Sequence, residues 1–299
     1  MEIVLISGLS GSGKSVALHV LEDRGYYCVD NLPAAMLAWL VELLQAEGYA
    51  RAAVAIDVRS GAAIDTLPEK IIALRREGHL VSFLFLDAQD DTLLKRFSET
   101  RRRHPLAFDA RTLVEAISEE RQRLRPLIGL GHHVDTSDLR AAQLRAWTLQ
   151  IVAAPVQEGL TLLIQSFGFK HGLPQDADLV FDARCLPNPY YEPVLRALTG
   201  LDAPVIEFLE AEATVLKMRA DLHRFICDWL PAYRQDNRAS LTVAIGCTGG
   251  QHRSVYLVEW LARQCRTLAA RVLVRHRAIG GQTPEAGALQ KPVHDLGLS

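Results

Sequence analysis

The feature that most constrains this chain is Gly8-Leu9-Ser10-Gly11-Ser12-Gly13-Lys14-Ser15, directly after the apolar run Ile3-Val4-Leu5-Ile6. It satisfies the phosphate-loop pattern G-x-x-x-x-G-K-[ST] at every fixed position. Glycines let the backbone turn so that its N–H groups face inward as a nest for anionic oxygens. A helix begun near Gly13 adds its positive end, and Lys14 adds a full charge. Ser15 is placed to hold Mg²⁺ beside terminal phosphates. Strand, loop and helix occur in the required order, so the stretch predicts a nucleoside triphosphate site formed by Gly8 to Ser15.

The following segments predict the sheet around that loop. A helix runs from Val16 to Asp23, and Tyr26 to Val29 is a short strand ending at Asp30-Asn31. Pro33 opens a second helix through Glu47; Ala52–Val58 is a strand and Ile64–Glu77 a helix. Leu80–Leu86 is a strand, Asp91–Arg101 a helix, His133–Asp135 a strand and Leu139–Val152 a helix. Strands alternating with helices at this spacing predict an α/β fold, a parallel sheet covered on both faces as in P-loop kinases. Ligands sit beyond the carboxyl ends of such strands.

Two strand-terminal carboxylates compete for the second metal-side position, Asp57 and Asp87. Asp57 is followed by Val58 and Arg59, an arrangement similar to that of nucleoside-monophosphate-kinase-like proteins, and is preferred; Asp87 reads better as a helix-capping residue. Arg96 and the run Arg101-Arg102-Arg103-His104 fit either arginines carried onto a transferring phosphoryl group or a solvated helix end. A phosphate-contacting patch for RNA is a third option.

A break at Ala153-Ala154-Pro155 divides the chain into an N-terminal domain, 1–154, and a second α/β domain, 155–280, with a tail, 281–299, expected to be disordered. In the second domain, Leu160–Ile164 and Leu179–Arg184 read as strands and about Ala203 to Tyr233 as mostly helical. The strand Leu241–Gly246 leads into Cys247-Thr248-Gly249-Gly250-Gln251-His252-Arg253-Ser254 and a helix to about Cys265. Strand, glycine turn and helix again make an anion nest, and Cys-x5-Arg-Ser is also the spacing of cysteine-dependent phosphatases. Three readings stand side by side: a nest for a phosphorylated small molecule, a nucleophilic Cys247, and a tight turn over a buried cysteine. Asp182 is either a site carboxylate or a turn residue, and His171, His252 and His276 lack metal spacing. Arg271, Arg275, His276 and Arg277 read as a solvated edge strand, with RNA contact as the alternative.

With 299 residues, 49% apolar and 23% charged, the chain can bury a core in each half, and its formal charge of −2 excludes a global polycation. The cysteines, Cys28, Cys185, Cys227, Cys247 and Cys265, form no C-x-x-C pair, so neither a disulfide framework nor a zinc site is expected. No apolar run approaches the roughly 18 residues of a membrane span, and the apolar start is too short for a signal sequence. A cytoplasmic protein without membrane partners is expected.

The chain resembles the RapZ/YvcJ family of P-loop nucleotide-binding proteins over about residues 1–277. The resemblance is carried by Ser7–Ser15, Tyr27-Cys28-Val29-Asp30-Asn31-Leu32-Pro33, Ser166-Phe167-Gly168-Phe169-Lys170-His171-Gly172, Leu186-Pro187-Asn188-Pro189 and Val243–Ser254. It implies binding of ATP or GTP with Mg²⁺ and weak nucleotidase activity, with Gly8, Leu9, Ser10, Gly11, Ser12, Gly13, Lys14 and Ser15 on ATP. Asp57, Val58, Arg59 and Ser60 match the segment assigned to GTP. Lys14, Ser15 and Asp57 are the expected catalytic set, Ser15 and Asp57 also the metal side. The family further implies an RNase adapter acting with a small RNA and a ribonuclease to control a cell-envelope precursor enzyme, and a homo-oligomer (trimer) that senses glucosamine-6-phosphate. The sensing residues carried over are Asp182, Thr248, Gly249 and Arg253. Around them the nest adds Cys247, Gly250, His252 and Ser254, and the Pro-Asn-Pro loop adds Tyr190. Tyr190 stands where the enterobacterial adapters have His, and after Arg277 the tail has Lys291 as its only Lys or Arg. Competing functions are a P-loop small-molecule kinase and a phosphatase using Cys247.

Overall fold

The computed structural model describes residues 1–107, 111–152, 160–236 and 238–279. Its first half is a five-stranded parallel sheet in the order β2-β3-β1-β4-β5. The strands are β1 (Glu2–Gly8), β2 (Tyr27–Val29), β3 (Arg51–Ala55), β4 (Leu80–Asp87) and β5 (His132–Asp135). β1 is central because its side chains are apolar on both faces, with Ile3 registered between Ala52 and Val81. Ile3 and Leu5 face one layer, containing α2 (Leu37–Ala46), α3 (Leu67–Arg76) and α5 (Leu113–Leu124). Val4 and Ile6 face the other, containing α1 (Lys14–Glu22) and α6 (Ala141–Val152). Period-two alternation along one strand thus assigns each layer its residues. Within α2, Leu37, Leu40, Val41 and Leu44 make the matching helical stripe. α4 (Asp90–Thr100) closes the carboxyl end of the sheet over the glycine loop.

Three local differences from expectation have identifiable causes. α3 begins at Leu67 rather than Ile64, with Pro68 in its first turn and a 3₁₀ run over Val58–Thr66 before it. Proline has no N–H to donate, and the first turn of a helix is where none is needed. β3 ends at Ala55, before Asp57 caps the N–H of Arg59 with its carboxylate at 3.0 Å. α5 is a helix that the sequence reading passes over, although Thr112 and Glu115 form a reciprocal capping box at its start.

The second half is a four-stranded parallel sheet, β7-β8-β6-β9, built from β6 (Thr161–Gly168), β7 (Leu179–Asp182), β8 (Ser240–Cys247) and β9 (Arg271–His276). One face is covered by α7 (Ala203–Glu210), α8 (Ala213–Gln235) and α9 (Arg253–Cys265), with Leu162, Ile164, Val243 and Ile245 against Leu222, Ile226 and Leu261. The other face presents Leu163 and Leu273 to Trp147, Ile151 and Val152 of α6. The second sheet therefore uses the first half as its second covering layer. The point where the halves were expected to divide, about residue 155, and the tail 281–299 lie outside the described residues. Among the described residues no helix is long and apolar enough to cross a membrane.

This arrangement corrects the reading of the basic cluster on β9. β9 is an edge strand by hydrogen bonding, but its arginines are not solvated. Arg275 is 6% exposed and donates to the Asp135 carbonyl at 2.8 Å, while Arg277 pairs with Asp135 at 3.0 Å and Asp138 at 2.6 Å. Arg271 donates to the Ile151 carbonyl at 2.9 Å. Asp176, itself buried, stands 3.3 Å from Arg275. Buried charges persist only when paired, and the contacts to Asp135, Asp138 and Ile151 lie between the two halves.

Candidate functional sites

The glycine loop surrounds the carboxyl end of β1 as predicted. Gly8 has φ +133°, and a Cβ there would meet the Leu86 carbonyl oxygen at 2.0 Å, so only glycine lets the loop leave between β1 and β4. Gly13 has φ +108° and packs against Leu144 of α6. Lys14 is folded onto the loop, donating to the Gly8 carbonyl at 2.7 Å and that of Leu9 at 3.1 Å. Burial lowers the pKa of Lys14, while the nearby carboxylates Glu120, Asp57 and Asp30 oppose that shift.

The loop opens into a cavity of about 560 Å³ lined by Ser10 to Val16 and by Asp30, Asn31, Asp57 and Arg59. Arg96, Arg102 and Arg103 complete its cationic wall. Arg96 also donates to the Gly11 carbonyl at 3.0 Å and the Thr136 carbonyl at 2.7 Å, and the Thr136 hydroxyl donates to the Ser12 carbonyl at 2.9 Å. Asp57 is 2% exposed and engaged by Arg59 through both oxygens. Ser60 accepts from the Ala34 N–H at 3.2 Å, and Val58 is buried in the core, so neither lines the cavity. Asp87, the other strand-terminal carboxylate, pairs with Arg121 at 2.7 Å and caps the Ala88 N–H. It holds α5, and it does not line the cavity.

The second nest lies at the carboxyl ends of β6, β7 and β8. Gly250 has φ +73°, and a Cβ there would stand 2.6 Å from the Gly168 nitrogen, so β6 and the Cys247–Ser254 loop touch backbone to backbone. Cys247 is 2% exposed; its Sγ accepts from the Gly250 N–H at 3.2 Å and lies 3.2 Å from the Ser254 hydroxyl. Burial raises its pKa, but the Ser254 and Gly250 hydrogen bonds and the charge of Arg253 outweigh that and leave the thiol below its ordinary value. Arg253 is 4% exposed, donates to the carbonyls of Arg184 and Leu186 at 3.0 and 2.9 Å, and reaches the Thr248 hydroxyl at 3.3 Å. Its Nε has no partner among the described residues. Asp182 is paired at 2.7 Å with Arg184, whose guanidinium stacks 3.9 Å from the centre of the Phe169 ring.

Residues 1–154 match the family model described as the RapZ-like N-terminal domain, and residues 160–280 match the RapZ C-terminal domain. The chain belongs to the RapZ family. A relative from Azoarcus sp. (strain BH72), named "Nucleotide-binding protein azo0399", is 60% identical over 96% of this chain and 98% of its own length. One from Dechloromonas aromatica (strain RCB), named "Nucleotide-binding protein", is 59% identical over 94% of this chain and 100% of its own. A solved gluconokinase from Sinorhizobium meliloti 1021 aligns at TM-score 0.34 and 18% identity, covering 51% of this chain and 91% of that one.

In this RapZ-family chain the structure brings together most, not all, of the residues singled out from sequence. Gly11 to Ser15, Asp57 and Arg59 share one cavity. Cys247, Thr248, Arg253 and Ser254 share the second nest, and Asp182 lies close enough to Arg253 to feel its charge. His252 turns away, with its ring 3.3 Å from the Leu195 carbonyl. Tyr190 is half-exposed beneath Arg196, which lies 4.9 Å from the ring centre. Sequence reading gave no role to Asp30, which lines the cavity near enough to Lys14 to bear on its charge, and missed Glu120, a fully buried carboxylate that accepts from Ser10. Ser166, His276 and Glu259 line up at 2.8 and 3.1 Å like a nucleophile, base and orienting acid, but Ser166 is fully buried within β6, where no substrate can reach it.

Proposed function

We propose that this chain is a nucleotide-binding regulator whose N-terminal P-loop domain binds ATP or GTP with Mg²⁺ and hydrolyses it slowly, and whose C-terminal domain binds a phosphorylated sugar. The observation that carries the reading is the cavity at the end of β1, which joins the phosphate loop, four arginines and two carboxylates. Backbone N–H groups and Lys14 suit the β- and γ-phosphates. Ser15 and Asp57 would hold Mg²⁺, which would neutralise phosphate charge; since Arg59 occupies both Asp57 oxygens, the ion meets Asp57 by displacing Arg59 or through water. The curated relatives' common name, nucleotide-binding protein, agrees with this assignment.

For the second nest, the half-satisfied guanidinium of Arg253, the Thr248 hydroxyl and the N-terminus of α9 suit a phosphate ester, and Asp182 suits an amino or hydroxyl group of the sugar. A glucosamine-6-phosphate-like ligand has that chemistry. Through these two inputs the chain would act, as family resemblance implies, in a homo-oligomeric RNase adapter with a small RNA and a ribonuclease. Arg271, Arg275 and Arg277 are consumed by contacts between the two halves, so RNA contact would use other cations.

The test is a thermal-shift titration of the full chain with nucleotides and with sugar phosphates, repeated on Lys14→Ala and Arg253→Ala. Each substitution is expected to abolish one response and spare the other; a chain stabilised by neither ligand class would sink the reading. A second reading, small-molecule kinase, is favoured by the carboxylate of Asp30, which shares the cavity with Lys14. It requires phosphoryl transfer that depends on an added acceptor, whereas a nucleotidase releases phosphate without one. The phosphatase reading requires Cys247→Ser to abolish phosphate-ester turnover.

A further inference from the structure

Glu120 on α5 is fully buried, and its carboxylate gathers three donors from distant parts of the chain. Ser10 donates its backbone N–H at 2.9 Å and its hydroxyl at 2.8 Å. His104 Nε2 lies 3.0 Å away. The Nδ1 of that ring accepts the Leu106 N–H at 3.1 Å, so the neutral ring carries its proton on Nε2 and donates it to Glu120. His104 immediately follows Arg101-Arg102-Arg103, and Arg102 and Arg103 line the same cavity as the phosphate loop. The clasp is reinforced from α4: Phe97 lies 5.2 Å from the His104 ring, and its ring atoms stand 3.4 Å from where a Cβ of Gly11 would be.

We propose that Glu120 and His104 are positioning residues that tie the arginine run to the phosphate loop, so that Arg102 and Arg103 are delivered to the terminal phosphates of the bound nucleotide. The proposal rests on the nucleoside-triphosphatase reading and deepens it. Arginine side chains on an exposed segment lose rotamer entropy when they converge on a ligand. Fixing the backbone one residue beyond the run, against the very loop that holds the phosphates, removes most of the search. A guanidinium so placed acts on the charge that develops as water attacks the γ-phosphorus and the β,γ-bridging oxygen leaves with the bonding pair. Glu120 stands below the loop and its two oxygens are already engaged, so it touches no reacting atom. Its effect passes through His104 and Ser10.

The variants follow from ring geometry. His104→Asn keeps an acceptor for the Leu106 N–H but cannot reach Glu120, whereas His104→Gln keeps an amide N–H at that reach. Turnover and nucleotide dissociation constants would be measured on the full chain for both, for Arg102→Ala/Arg103→Ala, and for the latter combined with His104→Asn. His104→Asn is expected to lower kcat about tenfold or more with Kd within about threefold, and His104→Gln to recover most of the loss. The combined variant is expected to be no slower than the arginine variant alone, because the clasp acts through the arginines. Wild-type kcat in His104→Asn, or losses that multiply in the combined variant, would overturn the proposal. Lys14→Ala separates the two levels. If it binds nucleotide like wild type, the phosphate-loop reading itself has failed; if it does not bind while His104→Asn turns over normally, only the positioning role has.

Discussion

Arg277, on the segment that follows β9, places its guanidinium 3.0 Å from the carboxylate of Asp135, at the end of β5 in the other half of the molecule. The same guanidinium reaches Asp138 at 2.6 Å. Burial opposes the charge on Asp135, but Arg277 and hydrogen bonds from Ser137 and Gln175 hold its carboxyl below the usual range. Asp135 directly precedes Thr136, whose hydroxyl supports the phosphate loop at Ser12. The contact between the halves and the support of the glycine loop are therefore neighbouring residues on one short segment.

Removing Arg277 leaves the buried Asp135 charge without its cation, with only hydrogen bonds from Ser137 and Gln175. Arg277→Met is expected to destabilise the protein by about 3–5 kcal/mol. Urea unfolding checks this: the midpoint should fall, and an unchanged midpoint would show that water compensates the orphaned Asp135.

His132 on β5 gives the contact between the halves a pH dependence. Burial, with the charge of Arg271, pushes its pKa from the ordinary 6.5 down to about 4. Between those values the unfolded chain binds the proton and the folded chain does not, so stability is full above about pH 6.5 and falls as pH drops toward 4. The loss attributable to this residue is on the order of 3 kcal/mol across that window. His132→Gln should flatten the pH profile of the melting temperature there; a profile of unchanged slope would count against it.

Asp57 is expected to matter for the metal more than for the nucleotide. Asp57→Asn should weaken nucleotide binding roughly tenfold in the presence of Mg²⁺ and by much less in EDTA. Equal weakening in both conditions would assign Asp57 to anchoring Arg59 alone.

Adjacent glycines in the second nest should behave oppositely. Gly250→Ala places a methyl 2.6 Å from the Gly168 nitrogen at φ +73° and should destabilise the fold by about 2 kcal/mol or more. A Cβ on Gly249 meets no atom within 4 Å, so Gly249→Ala should melt like wild type. Any sugar-phosphate response lost in Gly249→Ala then reports on the ligand's approach.

Arg253→Lys should fail to restore the sugar-phosphate thermal shift lost in Arg253→Ala. Lysine cannot reproduce a fork that reaches two carbonyls and the Thr248 hydroxyl together. Full recovery would mean that charge alone serves at this position.

The legible parts of the molecule are those written in local pattern. Gly8 to Ser15 and the run Ile3–Ile6 announce a strand, a nest and a helix within a few residues, and each is present. Cys247 to Ser254 does the same for the second nest. α5 was also written locally, in the Thr112–Glu115 capping box, but its Arg- and Glu-rich face conceals a narrow buried stripe of Ala116, Ile117, Glu120 and Leu124. Glu120 itself was unreadable: a carboxylate on a charged helix looks solvated, and its partner Ser10 is 110 residues away. Arg275 and Arg277 misled for the same reason, since a basic run at the end of a strand carries no mark of the acids that cover it.

The sequence by itself determined the parallel sheets, the two nests and the residues of the phosphate loop, because glycine conformations and side-chain periodicity act within a few residues. Only the tertiary structure decided what the isolated charges do. Pairing Arg277 with Asp135, Arg59 with Asp57 and His104 with Glu120 depends on which strand ends meet, and burial of each carboxylate there makes a partner obligatory where the same residue in water would be free.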